Sequence, residues 1–260
     1  MRLAGERAIV TGSTSGIGKA IALELAAEGA AVIVHGRNAE RGAAVVEHAR
    51  AAGGDAHFIA ADLGTEGECT RLIAESAERL GGLTVLVNNA VAGAVDGSEG
   101  SDGSVAEMNN VGWDRTLLVN VTAPMWLCRA AIAHMRATGH GSIINISSRQ
   151  GERPSAGLAA YATSKGALNA LTRAIAVEEA LNGIRCNTVS PGYVFNPKRD
   201  SEMTPERRAR LEGMHLTRLG EARDIAYAAV YLAGQESEYL TGINLELDGG
   251  GSHARALTLG

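Results

Sequence analysis

Tyr161 and Lys165 stand four residues apart in the run Tyr161-Ala162-Thr163-Ser164-Lys165, a stretch whose composition reads as helix. At that spacing two side chains share one helix face. A neighbouring ammonium favours phenolate over phenol, so the pairing predicts a Tyr161 pKa drawn down from its ordinary value of about 10 toward the range where a general acid or base works at neutral pH. The same spacing occurs on many solvated helix faces. Its chemistry therefore depends on what the remaining elements place around it.

A second chemical signal lies at the amino end. Ala8-Ile9-Val10-Thr11-Gly12-Ser13-Thr14-Ser15-Gly16-Ile17-Gly18 reads as a strand, a glycine turn and a helix start, in that order. Glycines permit the tight turn and a close approach of backbone to a pyrophosphate, while unpaired N–H groups and the dipole at a helix amino end favour negative charge. Gly12, Ser13, Ser15, Gly16, Ile17 and Gly18 are thus candidate contacts to a dinucleotide. The next strand ends Val34-His35-Gly36-Arg37-Asn38, with glycine where an acidic residue would receive the adenosine ribose hydroxyls. Arg37, with Asn38 beside it, offers a charge-assisted fork to a 2′-phosphate, which predicts NADP(H) in preference to NAD(H).

Asn120 precedes Pro124 by four residues. Proline has no N–H, so in a helix the Asn120 carbonyl loses its usual donor and becomes able to hold water.

These residues need a frame, and the chain supplies a regular one. Apolar, β-branched runs at 8–10, 31–34, 56–60, 84–88, 142–147, 184–190 and 243–247 alternate with helix-period segments at 16–28, 39–52, 66–80, 113–136, 159–182 and 222–233. Strict alternation predicts an α/β fold: one Rossmann-type, doubly wound parallel sheet of about seven strands with helices on both faces. A length of 260 residues suits a single domain spanning 1–260. Two stretches break the rhythm. Residues 93–104 carry Asp96, Glu99 and Asp102 among glycines and serines and read as a solvated, flexible acidic loop without metal-ligand spacing. Residues 193–220 form a proline- and charge-rich connection with one short helix near 205–211, the candidate substrate lid.

With the loop spaced Gly-x-x-x-Gly-x-Gly, the sequence resembles the short-chain dehydrogenase/reductase family over nearly its whole length. The likeness includes Asp62-Leu63, Asn88-Asn89-Ala90, Asn120, Ser147-Ser148, Tyr161 and Lys165, Pro191-Gly192 and Leu247-Asp248-Gly249-Gly250. Within the family it resembles the 3-oxoacyl reductase-like and the gluconate and glucose dehydrogenase-like members. The resemblance implies that Tyr161 is the acid/base, that Lys165 lowers its pKa and bonds the nicotinamide ribose, and that Ser148 holds the substrate oxygen. Thirteen residues separate Ser148 from Tyr161, which favours Ser148 over its neighbour Ser147. By the same resemblance Asn120 helps water reach the lysine, and Asp62, Leu63, Asn89, Ala90, Pro191, Gly192 and Val194 line the cofactor with Tyr161 and Lys165. The chain departs from the family pattern at Val91, where glycine is common, at Asn196, where threonine is usual, and at Ser15, where NADP-binding relatives often carry a basic residue. Arg149, Gln150 and Arg153 follow Ser148 where many relatives are apolar. They are either exposed loop groups or contacts to an oxygen-rich substrate. Gln150 and Tyr193, with Ser148 and Tyr161, are the candidate substrate residues.

Composition excludes several alternatives. A formal charge of -5 with interspersed signs offers no basic stripe to nucleic acid. Cys69, Cys128 and Cys186 are far apart and read as reduced structural thiols. His35, His48, His57, His134, His140 and His215 show no ligand pairing, so no metal is expected. The chain enters its first apolar run directly, without a signal-peptide pattern, and the 117–128 stretch is interrupted by Asn120 and Pro124 and too short to span a bilayer. A cytoplasmic protein is expected. The resemblance implies a homotetramer or homodimer, and the small face of Ala167, Ala170 and Ala174 suits close helix packing. The expected activity is NADP(H)-dependent interconversion of a secondary alcohol and a ketone on a small-molecule substrate. An epimerase, an enoyl reductase and a catalytically silent NADP(H) sensor are the alternatives.

Overall fold

The computed structural model describes residues 1–93, 102–197 and 199–253. Asp96 and Glu99 of the expected acidic loop lie outside the described residues. Strands β1 (Arg7–Val10), β2 (Ala31–Gly36), β3 (Asp55–Ala60), β4 (Val85–Asn88), β5 (Gly141–Ile146), β6 (Ile184–Pro191) and β7 (Asn244–Leu247) form one parallel sheet in the order β3-β2-β1-β4-β5-β6-β7. Helices α1 (Gly16–Ala27), α2 (Ala39–Ala51), α3 (Glu66–Leu80), α4 (Asn110–Leu117), α5 (Ala123–Thr138), α6 (Ala159–Glu179), α7 (Pro205–Glu212) and α8 (Ala222–Ala233) complete the chain.

Period-two alternation feeds two cores, one on each face of the sheet. Ala8, Val10, Val32, Val34, Val85 and Val87 point to one side, where Ile21 and Leu25 of α1, Val45 of α2 and Ile225 of α8 cover them. Ile9, Ile33, Leu86 and Ile143 point to the other, beneath Leu72 and Ile73 of α3, Leu127 and Met135 of α5 and Ile175 of α6. The chain reverses direction across the sheet between β1 and β4, the switch point where open α/β sheets place their ligand crevice. The carboxyl ends of β1, β3, β4, β5 and β6 all lead into residues named from the sequence: Gly12, Asp62, Asn89, Ser148 and Gly192.

The expected single helix over 113–136 is two helices. It starts earlier, at Asn110, because Asn109 Oδ1 accepts the Gly112 N–H at 2.7 Å and caps it. It is then interrupted by a π turn at Leu118–Thr122, in which the Ala123 N–H reaches back to the Leu118 carbonyl. Pro124 has no N–H to offer Asn120, and the wider turn accommodates that loss without ending the helix. Through the π turn the helical run spans Asn110–Thr138, which by length and composition alone is long and apolar enough to cross a membrane. One face of it packs into the second core, through Ala123, Leu127, Cys128, Ala131 and Met135.

Candidate active site

The glycine loop is held from below by two hydrogen-bonded clamps. Thr11 Oγ1 accepts the N–H groups of both Asn89 and Ala90 at 3.0 Å, and Asn89 Nδ2 returns donors to the Thr11 and Gly12 carbonyls at 2.9 and 3.1 Å. The turn after β1 and the turn after β4 are thereby locked together. A β-carbon at position 18 would lie 2.3 Å from Asn89 Nδ2, and one at position 12 would lie 2.9 Å from the Ala90 Cα, so only glycine allows this contact. Ser13 is fully buried and spends its hydroxyl on the Val10 carbonyl, which makes it a brace of the turn. Ser15 stands in extended conformation at the N-cap of α1, and its side chain makes no capping bond. The residues therefore fit a dinucleotide: a tight backbone cradle leads into a helix amino end that carries no acidic residue in its first turn.

Beyond the loop, the expected adenosine-side residues are distributed as follows. Gly36 is needed where it stands, since a β-carbon there would lie 2.6 Å from Thr14 Cγ2. Arg37 is exposed. Asn38 Oδ1 caps α2 through the Arg41 N–H at 2.8 Å. Asp62 Oδ1 accepts the Gly64 N–H in its own turn, and the Leu63 side chain belongs to the second core.

Ser148 and Tyr161 converge at the carboxyl end of β5. Ser148 caps a short 3-10 turn, Arg149–Gly151, by accepting the Gln150 N–H at 3.2 Å. That turn lies directly on α6, with Gly151 against the Lys165 backbone. Tyr161, Ser148 and Lys165 are all buried. Lys165 Nζ donates to the Ile146 carbonyl at 2.8 Å and sits 5.5 Å from the centre of the Tyr161 ring. Asn120, fully buried in the π turn, joins the loop after β4 to α6: Oδ1 accepts the Ala92 N–H at 2.8 Å, and Nδ2 donates to the Ala92 carbonyl and to Ser164 Oγ, both at 3.0 Å. Ser164 in turn donates to the Tyr161 carbonyl at 2.7 Å.

The charge state of this cluster corrects the sequence expectation. Burial pushes the Tyr161 phenol up to about 12, against the smaller downward pull of the Ser148 hydroxyl and the Arg199 guanidinium. Burial also pushes the Lys165 ammonium down to about 8. Both groups have left water, and loss of solvation outweighs their mutual influence. In this state Tyr161 is a protonated phenol.

The 193–220 connection closes at its base, where Val194 bridges Gly220, the Phe195 N–H bonds the Gly220 carbonyl at 2.8 Å and the Gly220 N–H bonds the Tyr193 carbonyl at 2.9 Å. Inside it Asp200 accepts hydrogen bonds from Tyr193 Oη, the Asn196 N–H and the Arg199 guanidinium, at 2.7 to 2.8 Å. Burial pushes its carboxyl up, but these donors together hold it at about 2. Arg199 also lies over the Tyr193 ring at 4.8 Å. The Asn196 amide lies beside Gly16, so this connection abuts the glycine loop. Gln150, a candidate substrate residue, exchanges both amide atoms with Ser155 and organises its own loop.

Three contributors to the site were not singled out from sequence as functional. Thr11 had a usable signal, as the residue directly before the first glycine. Asp102 reads in the sequence as a solvated loop carboxylate, yet its two oxygens accept the Ala160 and Tyr161 N–H groups at 3.0 Å and cap the helix that carries Tyr161, whose own N-cap, Leu158, has no side-chain capping bond. His35, buried beneath the glycine loop, had no sequence signal.

The family model described as short chain dehydrogenase matches residues 6–208. This chain belongs to the short-chain dehydrogenase family. It is accordingly an oxidoreductase of alcohol and ketone groups. Among its relatives is a 2,5-dichloro-2,5-cyclohexadiene-1,4-diol dehydrogenase of Sphingobium indicum, 39% identical over 251 residues that cover 96% of this chain and 98% of the relative. Among solved structures, the gluconate 5-dehydrogenase of Burkholderia cenocepacia J2315, in complex with NADP and tartrate, superposes with a TM-score of 0.90 at 32% identity, covering 98% of each chain. A 7α-hydroxysteroid dehydrogenase complexed with NADH and 7-oxo glycochenodeoxycholic acid superposes with a TM-score of 0.88 at 31% identity over 96% of this chain and 95% of its own. These short-chain dehydrogenases thus include structures with either nicotinamide cofactor.

Proposed function

We propose that the protein is an NADP(H)-dependent oxidoreductase that interconverts a secondary alcohol and a ketone, with Tyr161 as its acid and base. The observation that carries this reading is the closeness of the buried Ser148 and Tyr161 hydroxyls beyond the carboxyl end of β5. A nicotinamide dinucleotide bound there would supply or accept the hydride. Everything else falls to the protein. Ser148 Oγ holds the substrate oxygen as negative charge develops on it. Tyr161 Oη delivers a proton to that oxygen in reduction, and the protonated phenol is the form that reduction requires. Oxidation runs the transfer backward, which the Lys165 charge close to the ring favours. Asn120 fixes the backbone of Tyr161 through Ser164 and keeps the loop after β4 in register with α6.

Preference for NADP(H) is supported by Gly36 and Arg37. Thr14 packs where an acidic side chain at position 36 would have to lie, and the exposed guanidinium next to it suits a phosphate. Asn196 takes the place of the usual threonine with its amide close to the helix amino end. Tyr193, held by Asp200 and stacked beneath Arg199, forms the substrate-side wall as an ordered unit. An oligomer is supported by an exposed apolar stripe in which Ala170, Ala174 and Val177 of α6 lead to Leu181 in the 3-10 turn that follows it. Three free, buried cysteines fit a reducing, cytoplasmic setting.

The test is Tyr161→Phe. It should lower kcat/KM for ketone reduction by about 10³-fold or more while leaving NADPH affinity within about twofold, as expected for loss of an acid that acts only in the transition state. Retention of activity would remove Tyr161 from the mechanism.

A further inference from the structure

His35 is the last buried side chain of β2 and lies directly under the glycine loop. Its Nδ1 is 3.1 Å from the Gly12 nitrogen, and its Nε2 is 3.2 Å from the Ala61 carbonyl oxygen, in the turn after β3. A backbone N–H can only donate and a carbonyl can only accept. The imidazole must therefore carry its hydrogen on Nε2 and keep a lone pair on Nδ1. The His35 backbone engages the same loop, since its N–H donates to Ser13 Oγ and its carbonyl accepts the Ser13 N–H, both at 2.9 Å.

The geometry points to His35 as a positioning residue for the cofactor: held in the neutral Nε2–H tautomer, it fixes Gly12 and joins the phosphate loop to the Ala61–Asp62 turn, so that the pyrophosphate and adenosine contacts are set by one ring. This rests on the reading of 12–18 as a dinucleotide loop. Thr11 and Asn89 hold the other side of the same turn, so removal of the ring frees only one of its two anchors.

The test compares His35→Leu with His35→Asn, in which the side-chain oxygen can stand where Nδ1 stood and accept the Gly12 N–H. NADPH dissociation constants are measured on the apo proteins by nucleotide fluorescence, with Met135→Ala, at the opposite end of the sheet, as a control for general loss of stability. The expected result is roughly tenfold weaker NADPH binding in His35→Leu, a change below about threefold in His35→Asn and none in Met135→Ala despite a lower Tm. Nitrogen NMR of the native protein should show His35 protonated on Nε2 alone. Binding by His35→Leu within twofold of native, or a native proton on Nδ1, would overturn the inference. If His35→Leu does not fold, the asparagine variant and the tautomer decide. A native protein that binds neither NADPH nor NADH would overturn the cofactor reading itself, and this inference with it.

Discussion

Two histidines anchor the two ends of the crevice, and they anchor loops of opposite character. His35 accepts from Gly12 and donates to Ala61, pinning a turn of short side chains whose shape is set by glycine backbone. His215 has the reverse polarity: Nδ1 bonds the Leu211 carbonyl at 2.7 Å, and Nε2 receives the Tyr193 N–H at 3.3 Å, tying α7 to the segment that leaves β6. The loop it holds is built from long side chains, with Arg199, Asp200 and Tyr193 paired within it and Arg208 lying over the Phe195 ring at 5.7 Å. The proposed cofactor end is thus fixed by main-chain contacts that tolerate few residues. The proposed substrate end adds side-chain pairs to its main-chain anchors.

After Tyr161→Phe, the largest expected effect lies beside that ring, at Lys165. Lys165→Met should reduce turnover by about 10² to 10³-fold, yet its Tm at pH 7 should equal or exceed that of the native protein. Holding an ammonium with a pKa lowered to about 8 in a fully buried site costs roughly 3 kcal/mol at neutral pH. Relief of that cost offsets the lost bond to Ile146. A marked fall in Tm, read by calorimetry, would make Lys165 a structural residue first.

A smaller effect separates the ends. Asp200→Asn removes the charge that gathers Arg199, Tyr193 and the Asn196 N–H. Steady-state kinetics should show KM for the carbonyl substrate raised by about tenfold, with NADPH affinity unchanged within twofold. An equal loss at both would mean that the loops do not act separately.

A third effect, on stability rather than on kinetics, concerns acid. His35 is pushed down to about 4, mainly by burial, with Asp62 pulling up and Arg71 pushing down from the neighbouring turn and from α3. Its folded pKa lies below the unfolded value near 6.5, so the unfolded chain binds the extra proton. The contribution is complete above about pH 6.5 and is lost as pH falls toward 4, for a total of roughly 3 kcal/mol. Urea titrations across that window should show this loss in the native protein and a shallower one in His35→Asn. Parallel slopes would deny His35 its neutral role.

The same contrast governs how much was legible in the sequence. The alternation of strand and helix was, because each strand feeds two cores and each helix one, and periodicity records both. The glycine loop was, because close approach to Asn89 and Ala90 dictates residue type at fixed spacing. Ser148, Tyr161 and Lys165 were, at a spacing that one strand end and one helix start impose. Pro124 announced a lost hydrogen bond but not its resolution into a π turn. His35, His215 and Asp102 were hidden because their partners are mostly main-chain N–H and C=O groups distant along the chain, and every residue carries those. The expected Tyr161 shift failed for a related reason. Spacing along a helix reports proximity of charge but not loss of water, and burial proved the larger influence.

A working reductase is separated from a silent cofactor binder by oxidation of NADPH and of NADH by the native protein across a panel of ketones, keto acids, acyl thioesters and keto sugars. Ketone-dependent turnover is expected with at least one class, with kcat/KM at least about tenfold higher for NADPH than for NADH. Tight binding of NADPH without turnover on any carbonyl would contradict the assignment of Tyr161 as a working acid, and a clear preference for NADH would contradict the role given to Arg37.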